Sequence, residues 1–307
     1  MNAILPGQED VMISGSTQIS TSPEAVSATG GLLTITDEEF QAIRTLVHER
    51  FGINLTEQKK PLVSGRLQKL LRKRGFSTFA AYYDFLQKDS SEKGLSELVD
   101  HISTNHTYFN RENDHFVYFQ QTALPAVVER LRKERRFDLR IWCAGCSTGE
   151  EAYMLLMLMR EVLGSDYGNW QAGILATDIS SRALAVAREG RYSDEALSQL
   201  PENLRRKYFR RTAEGDWQVV DALRQEATFR RFNLMNEVFP FKKPFQIIFC
   251  RNVMIYFDQP TRERLIAKFH KLTEKDGYLF IGHSETLARN QSLYRYLQPA
   301  AYQKMEG

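Results

Sequence analysis

The stretch Leu139-Arg-Ile-Trp-Cys-Ala-Gly-Cys-Ser-Thr-Gly-Glu-Glu151 decides the fold class. Its first five residues are apolar apart from Arg140 and read as a buried strand. Small residues with two glycines follow as a tight turn. The glutamates then open a helix carrying Leu155, Leu156, Leu158, Met159 and Val162. The same order recurs downstream. Gly173-Ile-Leu-Ala-Thr177 is a second strand ending at Asp178, and a helix with Leu184, Ala185 and Ala187 comes next. Phe245-Gln-Ile-Ile-Phe-Cys250, a helix over about 260–272 and the strand Gly277-Tyr-Leu-Phe-Ile281 continue the series. Strands alternating with helices predict an α/β domain built on a mostly parallel, doubly wound sheet. The alternation breaks between Tyr208 and Phe232. Short β-like runs at 207–210, 217–220 and 227–230 flank the turn Glu214-Gly215-Asp216, which predicts a small antiparallel β insertion at about 207–232.

Upstream the period changes to that of helices. Thr36 and Glu39 form a capping-box pattern, Phe40, Ile43, Leu46 and Val47 share one face, and Gly52 is the stop. A second helix is expected over about 59–74, with Leu62, Val63, Leu67, Leu70 and Leu71 inward and Gly75 past its end. A third follows Ser77 near 79–86, and a fourth carries Leu95, Leu98, Val99 and Ile102. Four amphipathic helices with short joints predict a small all-α domain. Residues 1–34 contain no aromatic residue and are rich in Ser, Thr, Gly and Ala, so they read as a flexible tail. The expected divisions are this tail, a helical domain at 35–105, a linker helix region at 106–120 and the α/β domain at 121–307.

Composition sets outer bounds. The 307 residues suit two domains, and 42% hydrophobic with 26% charged residues excludes collagen-like and wholly disordered chains. No run approaches the length of a membrane-spanning helix, so membrane insertion is not expected. A formal charge of +3 gives no argument for nucleic acid by itself. The three cysteines Cys143, Cys146 and Cys250 make no disulfide framework and suit a reducing cytosol. The first basic residue is Arg44, so the basic start of an export signal is missing and a cytoplasmic location is expected.

In an open α/β sheet, ligands sit at the carboxyl ends of the strands near the first strand-turn-helix. Here that turn has two glycines four apart, Gly145 and Gly149, and lacks the G-x-G-x-x-G of a dinucleotide site. Glu150 and Glu151 at the helix start would repel a pyrophosphate and welcome a cation. S-adenosylmethionine fits that chemistry, having a sulfonium, an ammonium and a ribose but no phosphate. The alternative for the two glutamates is simple complementation of the helix dipole. Asp178, ending the second strand, is placed to accept ribose hydroxyls, and its distance along the chain from Gly149 exceeds the roughly 20 residues usual for nicotinamide sites. Cys143 and Cys146 form a C-x-x-C pair. Zinc would want four ligands, and no second pair supplies them, so the cysteines read as small side chains permitting a tight turn, and no metal is expected.

Six segments together resemble the CheR-type chemotaxis receptor methyltransferases, S-adenosylmethionine-dependent protein-glutamate O-methyltransferases. They are Ser103-Thr-Asn-His-Thr-Tyr-Phe-Asn-Arg111, Cys146-Ser-Thr-Gly-Glu-Glu151, Ala176-Thr-Asp178-Ile, Phe232-Asn-Leu234, Ile248-Phe-Cys-Arg-Asn-Val-Met-Ile-Tyr-Phe257 and Gly282-His-Ser-Glu285. They occur in family order between about 36 and 304. The resemblance implies a Rossmann-like methyltransferase domain preceded by the all-α domain, S-adenosylmethionine as donor and S-adenosylhomocysteine as product. It also implies residue roles. Asn105, Thr107 and Arg111 line the donor pocket at its methionine end. Glu151 takes the ammonium and Asp178 the ribose. Asn233 and Leu234 hold the adenine side, Arg251 and Asn252 close the pocket, and Tyr256 sits beside the reacting centre, so that Arg111 and Tyr256 are the candidate catalytic residues. His283 and Glu285 read as structural turn residues, because methylation of an already anionic carboxylate needs no acid.

The implied partner is the cytoplasmic methylation region of chemoreceptors. The helix from Lys59 carries Lys59, Lys60, Arg66, Lys69, Arg72, Lys73 and Arg74 with no acid among them, which suits a polyanionic partner, although a solvated face is the simpler reading. Arg66, Lys69, Arg72 and Lys73 are the candidate substrate contacts. In some members the β insertion docks a receptor's C-terminal tail by strand addition. The compact turn at Glu214 to Asp216 argues against that docking here, with Arg211 the matched position. A nucleic-acid methyltransferase is an alternative that would share the fold, but there is no Pro-Pro-Tyr-type motif, and Cys250 lies in Phe-Cys-Arg-Asn rather than after a proline. A non-catalytic scaffold is a second alternative, against which the intact Arg111, Glu151, Asp178 and Tyr256 stand.

Overall fold

Thr36 starts the first helix with both bonds of a capping box. Its hydroxyl accepts from Glu39 N at 3.1 Å, and Thr36 N donates to the Glu39 carboxylate at 2.9 Å. The helix so begun is α1 (Asp37–Phe51), and it is followed by α2 (Lys60–Arg74), α3 (Phe79–Lys88) and α4 (Lys93–Ile102). Phe40, Ile43, Val47, Leu67, Leu71 and Leu98 meet in their common core. Two details differ from the sequence reading. Leu62 is 45% exposed, because it turns toward the cavity described below. The third helix is capped by Thr78, whose hydroxyl accepts from Ala81 N, rather than by Ser77. The structure, a computed structural model, describes residues 33–287 and 293–305; the tail expected at 1–34 lies outside these up to residue 32.

A longer helix leads into the large domain. α5 (Asn113–Tyr118) passes through a π turn at Phe119–Ala123 into α6 (Leu124–Lys133), with Leu124 N donating five residues back to Phe119 O. Pro125 explains the wider turn, since it has no N–H for the preceding turn and its ring would crowd a regular one. Val127, Val128 and Leu131 of α6 are buried in the large core.

From there the chain forms β1 (Asp138–Ala144), α7 (Glu150–Leu163), β2 (Gln171–Asp178), α8 (Ser181–Glu189), β3 (Arg191–Tyr192), α9 (Glu202–Tyr208), β4 (Phe209–Arg211), β5 (Trp217–Val219), α10 (Asp221–Arg224), β6 (Ala227–Arg231), β7 (Phe245–Cys250), α11 (Gln259–Leu272), β8 (Thr273–Ile281), β9 (Tyr294–Gln298) and β10 (Ala301–Lys304). Seven strands make one mixed sheet in the order β6-β2-β1-β7-β8-β10-β9. The first five run parallel, and β10 and β9 close the edge antiparallel. Ile141 of β1 stands opposite both Ile174 and Ile247. All of β7 is buried, as expected of a parallel strand covered on both faces.

The insertion departs from its expected limits. β3, β5 and β4 form the small antiparallel sheet, in that order. Ala227–Arg231 instead pairs parallel with β2 at the edge of the main sheet, where Phe229 packs its ring on Tyr153 at 5.6 Å. Residues 207 and 208 finish α9, because Leu204 and Tyr208 share a buried helical face. The antiparallel strands therefore come from 191–219 and not from 207–232.

Candidate active site at the carboxyl ends of the central strands

Strand order reverses between β1 and β7, so the loops leaving these strands part and open a crevice. A cavity of about 400 Å³ lies there, within the range of small-molecule sites. One side is made by the turn after β1, the end of β2, residues 232–234 and residues 251–257. The other side comes from the helical domain, through Phe51, Ile53, Lys59 and Leu62, and from the segment 102–111 that joins the domains.

The turn after β1 is shaped by close packing. Gly145 has φ +85°, and a Cβ there would come within 2.3 Å of Val253. Gly149 has φ +98° and would meet Ala187 at 2.8 Å. The two glutamates that follow divide the roles left open for them. Glu150 is buried, its carboxylate accepts from the Thr148 hydroxyl at 2.7 Å, and burial pushes its carboxyl up. It fills the helix terminus where a phosphate would otherwise bind. Glu151 faces the cavity. The cysteines are inert by the same burial: Cys143 and Cys146 are fully buried thiols held well above their ordinary pKa, and Cys143 Sγ lies 3.1 Å from Glu151 Oε1 as a donor.

Arg251, at the end of β7, binds three segments together. Nη1 donates to Glu151 Oε2 at 2.7 Å, and Nη2 donates to Glu112 Oε2 at 3.1 Å and to the Arg111 carbonyl. Burial pushes the Glu112 carboxyl up, but Arg251, Asn252 and His115 outweigh that and hold it low. Asn252 has a left-handed backbone (φ +58°) and donates through Nδ2 to Glu112 at 3.1 Å. Its backbone N–H goes to Glu285 Oε2 at 3.0 Å. Glu285 also accepts from Gly282 N and Ile255 N, which makes it the anchor of the loop that carries Tyr256 and agrees with its reading as a turn residue. His283 Nε2 meets Asp114 at 2.8 Å. Glu112, His115 and His283 bring potential ligand atoms within 4.8 Å of one another, with the Arg251 guanidinium and the Asn252 amide already bonded to Glu112.

The remaining expected residues distribute as follows. Asn105 and Thr107 line the cavity. Arg111 lines it with Nη1 donating to the His106 carbonyl at 2.8 Å. Asp178 ends β2 with one oxygen accepting from Ser147 N and the other from Ser180 N, each at 2.8 Å. Burial raises its carboxyl despite these bonds and a further one from the Ile179 backbone. Asn233 spends its amide on the Arg50 carbonyl and Met235 N, so it shapes the wall, which the buried Leu234 also lines. Tyr256 lines the cavity while its carbonyl accepts from Asn54 N at 2.7 Å.

Of the seven basic residues from Lys59 to Arg74, Lys59 lines the cavity and the other six do not. Lys69, Arg72 and Lys73 lie exposed along α2. Arg66 is not part of a free cationic face: it donates to the carbonyls of Ile102 and Ser103 and to the Thr104 hydroxyl, closing the end of α4. Lys60 and Arg74 pair with Asp37 and Glu97, so α2 is less bare than its own sequence implies. Arg211 pairs with Asp194 and stacks on Trp217 within the small sheet. Sequence reasoning did not find Glu112 or the wall from 51–62; the acid next to Arg111 at the start of a helix was the available signal for the first.

A phosphate-free cationic nucleoside fits this lining. Glu151 and Asp178 supply acids, apolar side chains supply most of the wall, and the buried Ser147 Oγ and Arg251 Nε have no hydrogen-bond partner among the described residues. Residues 105–302 match the family described as CheR methyltransferase, SAM binding domain, and residues 38–103 match CheR methyltransferase, all-alpha domain. The chain is 44% identical to the chemotaxis protein methyltransferase of Borreliella burgdorferi over 272 residues, 89% of this chain and 96% of that one. It is 37% identical to chemotaxis protein methyltransferase 2 of Pseudomonas aeruginosa, covering 87% and 93% of the two chains. It is 36% identical to the chemotaxis protein methyltransferase of Escherichia coli, covering 83% and 87%. This chain belongs to the CheR methyltransferase family, and its donor is S-adenosylmethionine.

Proposed function

We propose that the protein methylates glutamate side chains of chemoreceptors in the cytoplasm, leaving glutamate methyl esters and S-adenosylhomocysteine. The donor supplies an electrophilic sulfonium methyl, and a glutamate carboxylate, anionic at neutral pH with an ordinary pKa of about 4.3, can attack that carbon while the carbon–sulfur pair returns to sulfur. No proton has to move. What the chain must provide is orientation, for which effective molarities reach roughly 10⁵–10⁸ M in model systems.

In this reading Glu151 holds the donor's ammonium, with Arg251 fixing its rotamer. Asp178 takes the ribose hydroxyls. Leu234 and the wall shaped by Asn233 cover the adenine. Asn105, Thr107 and Arg111 bound the methionine end, Asn252 closes the pocket through Glu112, and Tyr256 flanks the methyl. Lys69, Arg72 and Lys73 of α2 face the acidic receptor. The free thiols of Cys143, Cys146 and Cys250 suit the reducing cytoplasm.

The observation that carries the reading is the pairing of a cavity-facing Glu151 with Asp178 at the switch point of the sheet, beside a helix terminus already filled by Glu150. The test uses tritiated S-adenosylmethionine with receptor-bearing membranes. Base-labile, volatile label on protein is the expected result; label on added RNA, or none on protein, would overturn the proposal.

A further inference from the structure

The helical domain contributes one cation to the cavity wall, and the donor-site reading leaves it unused. Lys59 and Lys60 are neighbours with different fates. Lys60 is paired with Asp37. Lys59 lines the cavity, its Nζ lies 3.5 Å from the Asn54 carbonyl and 5.5 Å from the centroid of the Tyr256 ring, and no carboxylate among the described residues is within ion-pair distance of it. An ammonium has three donors, and one long bond to a carbonyl leaves capacity for a ligand. Of the two arginines on the wall, Arg251 is committed to Glu151, Glu112 and the Arg111 carbonyl, and Arg111 Nη1 donates to the His106 carbonyl within the segment 102–111 that the donor-site reading already uses.

The position of Lys59 is built into the joint between the domains. Asn54, whose carbonyl it meets, donates its own N–H to the Tyr256 carbonyl, and Ile53 pairs with Phe257 in an antiparallel bridge. Lys59 and Tyr256 thus flank the same part of the cavity through one short stretch of shared backbone, one from each domain.

We infer that Lys59 is the acceptor-binding residue that receives the attacking glutamate's carboxylate, an inference that rests on the glutamate reading above. One carboxylate oxygen accepts from Nζ while the other attacks the methyl carbon. An oxygen–carbon bond forms, the carbon–sulfur bond breaks with its pair left on sulfur, and no proton is transferred. Lys59 offsets the cost of taking the anion out of water and favours glutamate over the uncharged glutamine amide. The charge on the acceptor fades along the reaction, so the ammonium binds the ground state more strongly than the transition state. Its loss therefore raises KM without lowering kcat. The neutral ester no longer holds the ammonium, which aids release of the product.

The test compares Lys59→Met and Lys59→Arg with the wild-type chain, reading receptor methylation at varied receptor concentration and S-adenosylhomocysteine affinity by calorimetry. Lys59→Met should raise the receptor KM about tenfold or more, the scale of one charge-assisted hydrogen bond, with kcat not lowered and product affinity preserved. Lys59→Arg should recover most of the loss. A wild-type KM in Lys59→Met overturns the inference, as does a loss confined to S-adenosylhomocysteine affinity, which would assign Lys59 to the donor. Failure of the wild-type chain to esterify protein would instead overturn the glutamate reading, and the two failures are told apart by the wild-type control.

Discussion

Arg251 and Glu151 form a buried ion pair across the carboxyl end of the sheet, 2.7 Å apart with side chains 2% and 14% exposed. It joins the end of β7 to the first turn of α7, so the acid assigned to the donor's ammonium is also a structural partner. Removing one member of a buried pair strands the other's charge, at a cost of about 3–5 kcal/mol. Glu112 remains beside Arg251, which places Glu151→Gln at the lower end of that range. Urea unfolding should register the loss, and calorimetry should show S-adenosylhomocysteine affinity down at least about tenfold, a loss of roughly 1.4 kcal/mol. Unchanged affinity would remove Glu151 from the donor site.

Glu285 accepts from three backbone N–H groups, those of Gly282, Asn252 and Ile255, at 2.6–3.1 Å. Those bonds hold the left-handed turn at Asn252 and the approach to Tyr256. Glu285→Ala should cost about 3 kcal/mol or more, because each orphaned buried donor carries a penalty of roughly 1–3 kcal/mol. Glu285→Gln keeps one acceptor oxygen and should cost less. Equal melting temperatures for the two variants would show that the carboxylate is dispensable to the loop.

Much of this architecture is legible in the chain itself, for local reasons. The capping box at Thr36, the glycine at Gly52 and the strand-turn-helix around Gly145 all declare themselves within a few residues. The pairs that complete the site do not. Arg251 and Glu151 are 100 residues apart, and Lys59 meets Tyr256 only after two domains have joined. Arg66 looks like part of a charged face because α2 by itself does not reveal that α4 ends beside it. The run at 227–230 reads as part of the insertion because a short β-like run says nothing about which sheet it will enter. The exchange of β-like residues 207–208 for the end of α9 has the same origin, since Tyr208 suits a strand and a helical face equally.

His115 adds a pH dependence to stability. It is completely buried, and burial, followed by Arg251 and His283, pushes its imidazole down to about 4, against the opposing pull of Asp114 and Glu112. In the unfolded chain the same group titrates near 6.5. Between these values the unfolded state binds the proton and the folded state does not. Stability therefore rises with pH across the window from 4 to 6.5 and falls as acid is added. The displacement corresponds to about 3 kcal/mol. Unfolding free energies of wild type and His115→Gln at pH 4.5 and 7 should show a steeper loss in wild type. Parallel curves would mean that other groups carry the acid sensitivity.

The exposed cations of α2 make a final, separable prediction. Lys69 and Lys73 are exposed, whereas Arg66 holds the carbonyls at the end of α4. Charge reversal should therefore act differently at the two kinds of position. Lys69→Glu with Lys73→Glu should leave folding and S-adenosylhomocysteine affinity untouched and slow methylation of receptor membranes about tenfold at low salt, within the range by which electrostatic steering changes association rates. The difference should shrink as salt rises, because exposed charges more than about 10 Å apart are screened at 0.1 M. Arg66→Glu should instead lower the melting temperature and disturb the cavity through Thr104 and Asn105, whatever the receptor. A double variant that methylates at the wild-type rate with wild-type salt dependence would leave α2 as an ordinary solvated face and move the receptor contact elsewhere on the chain.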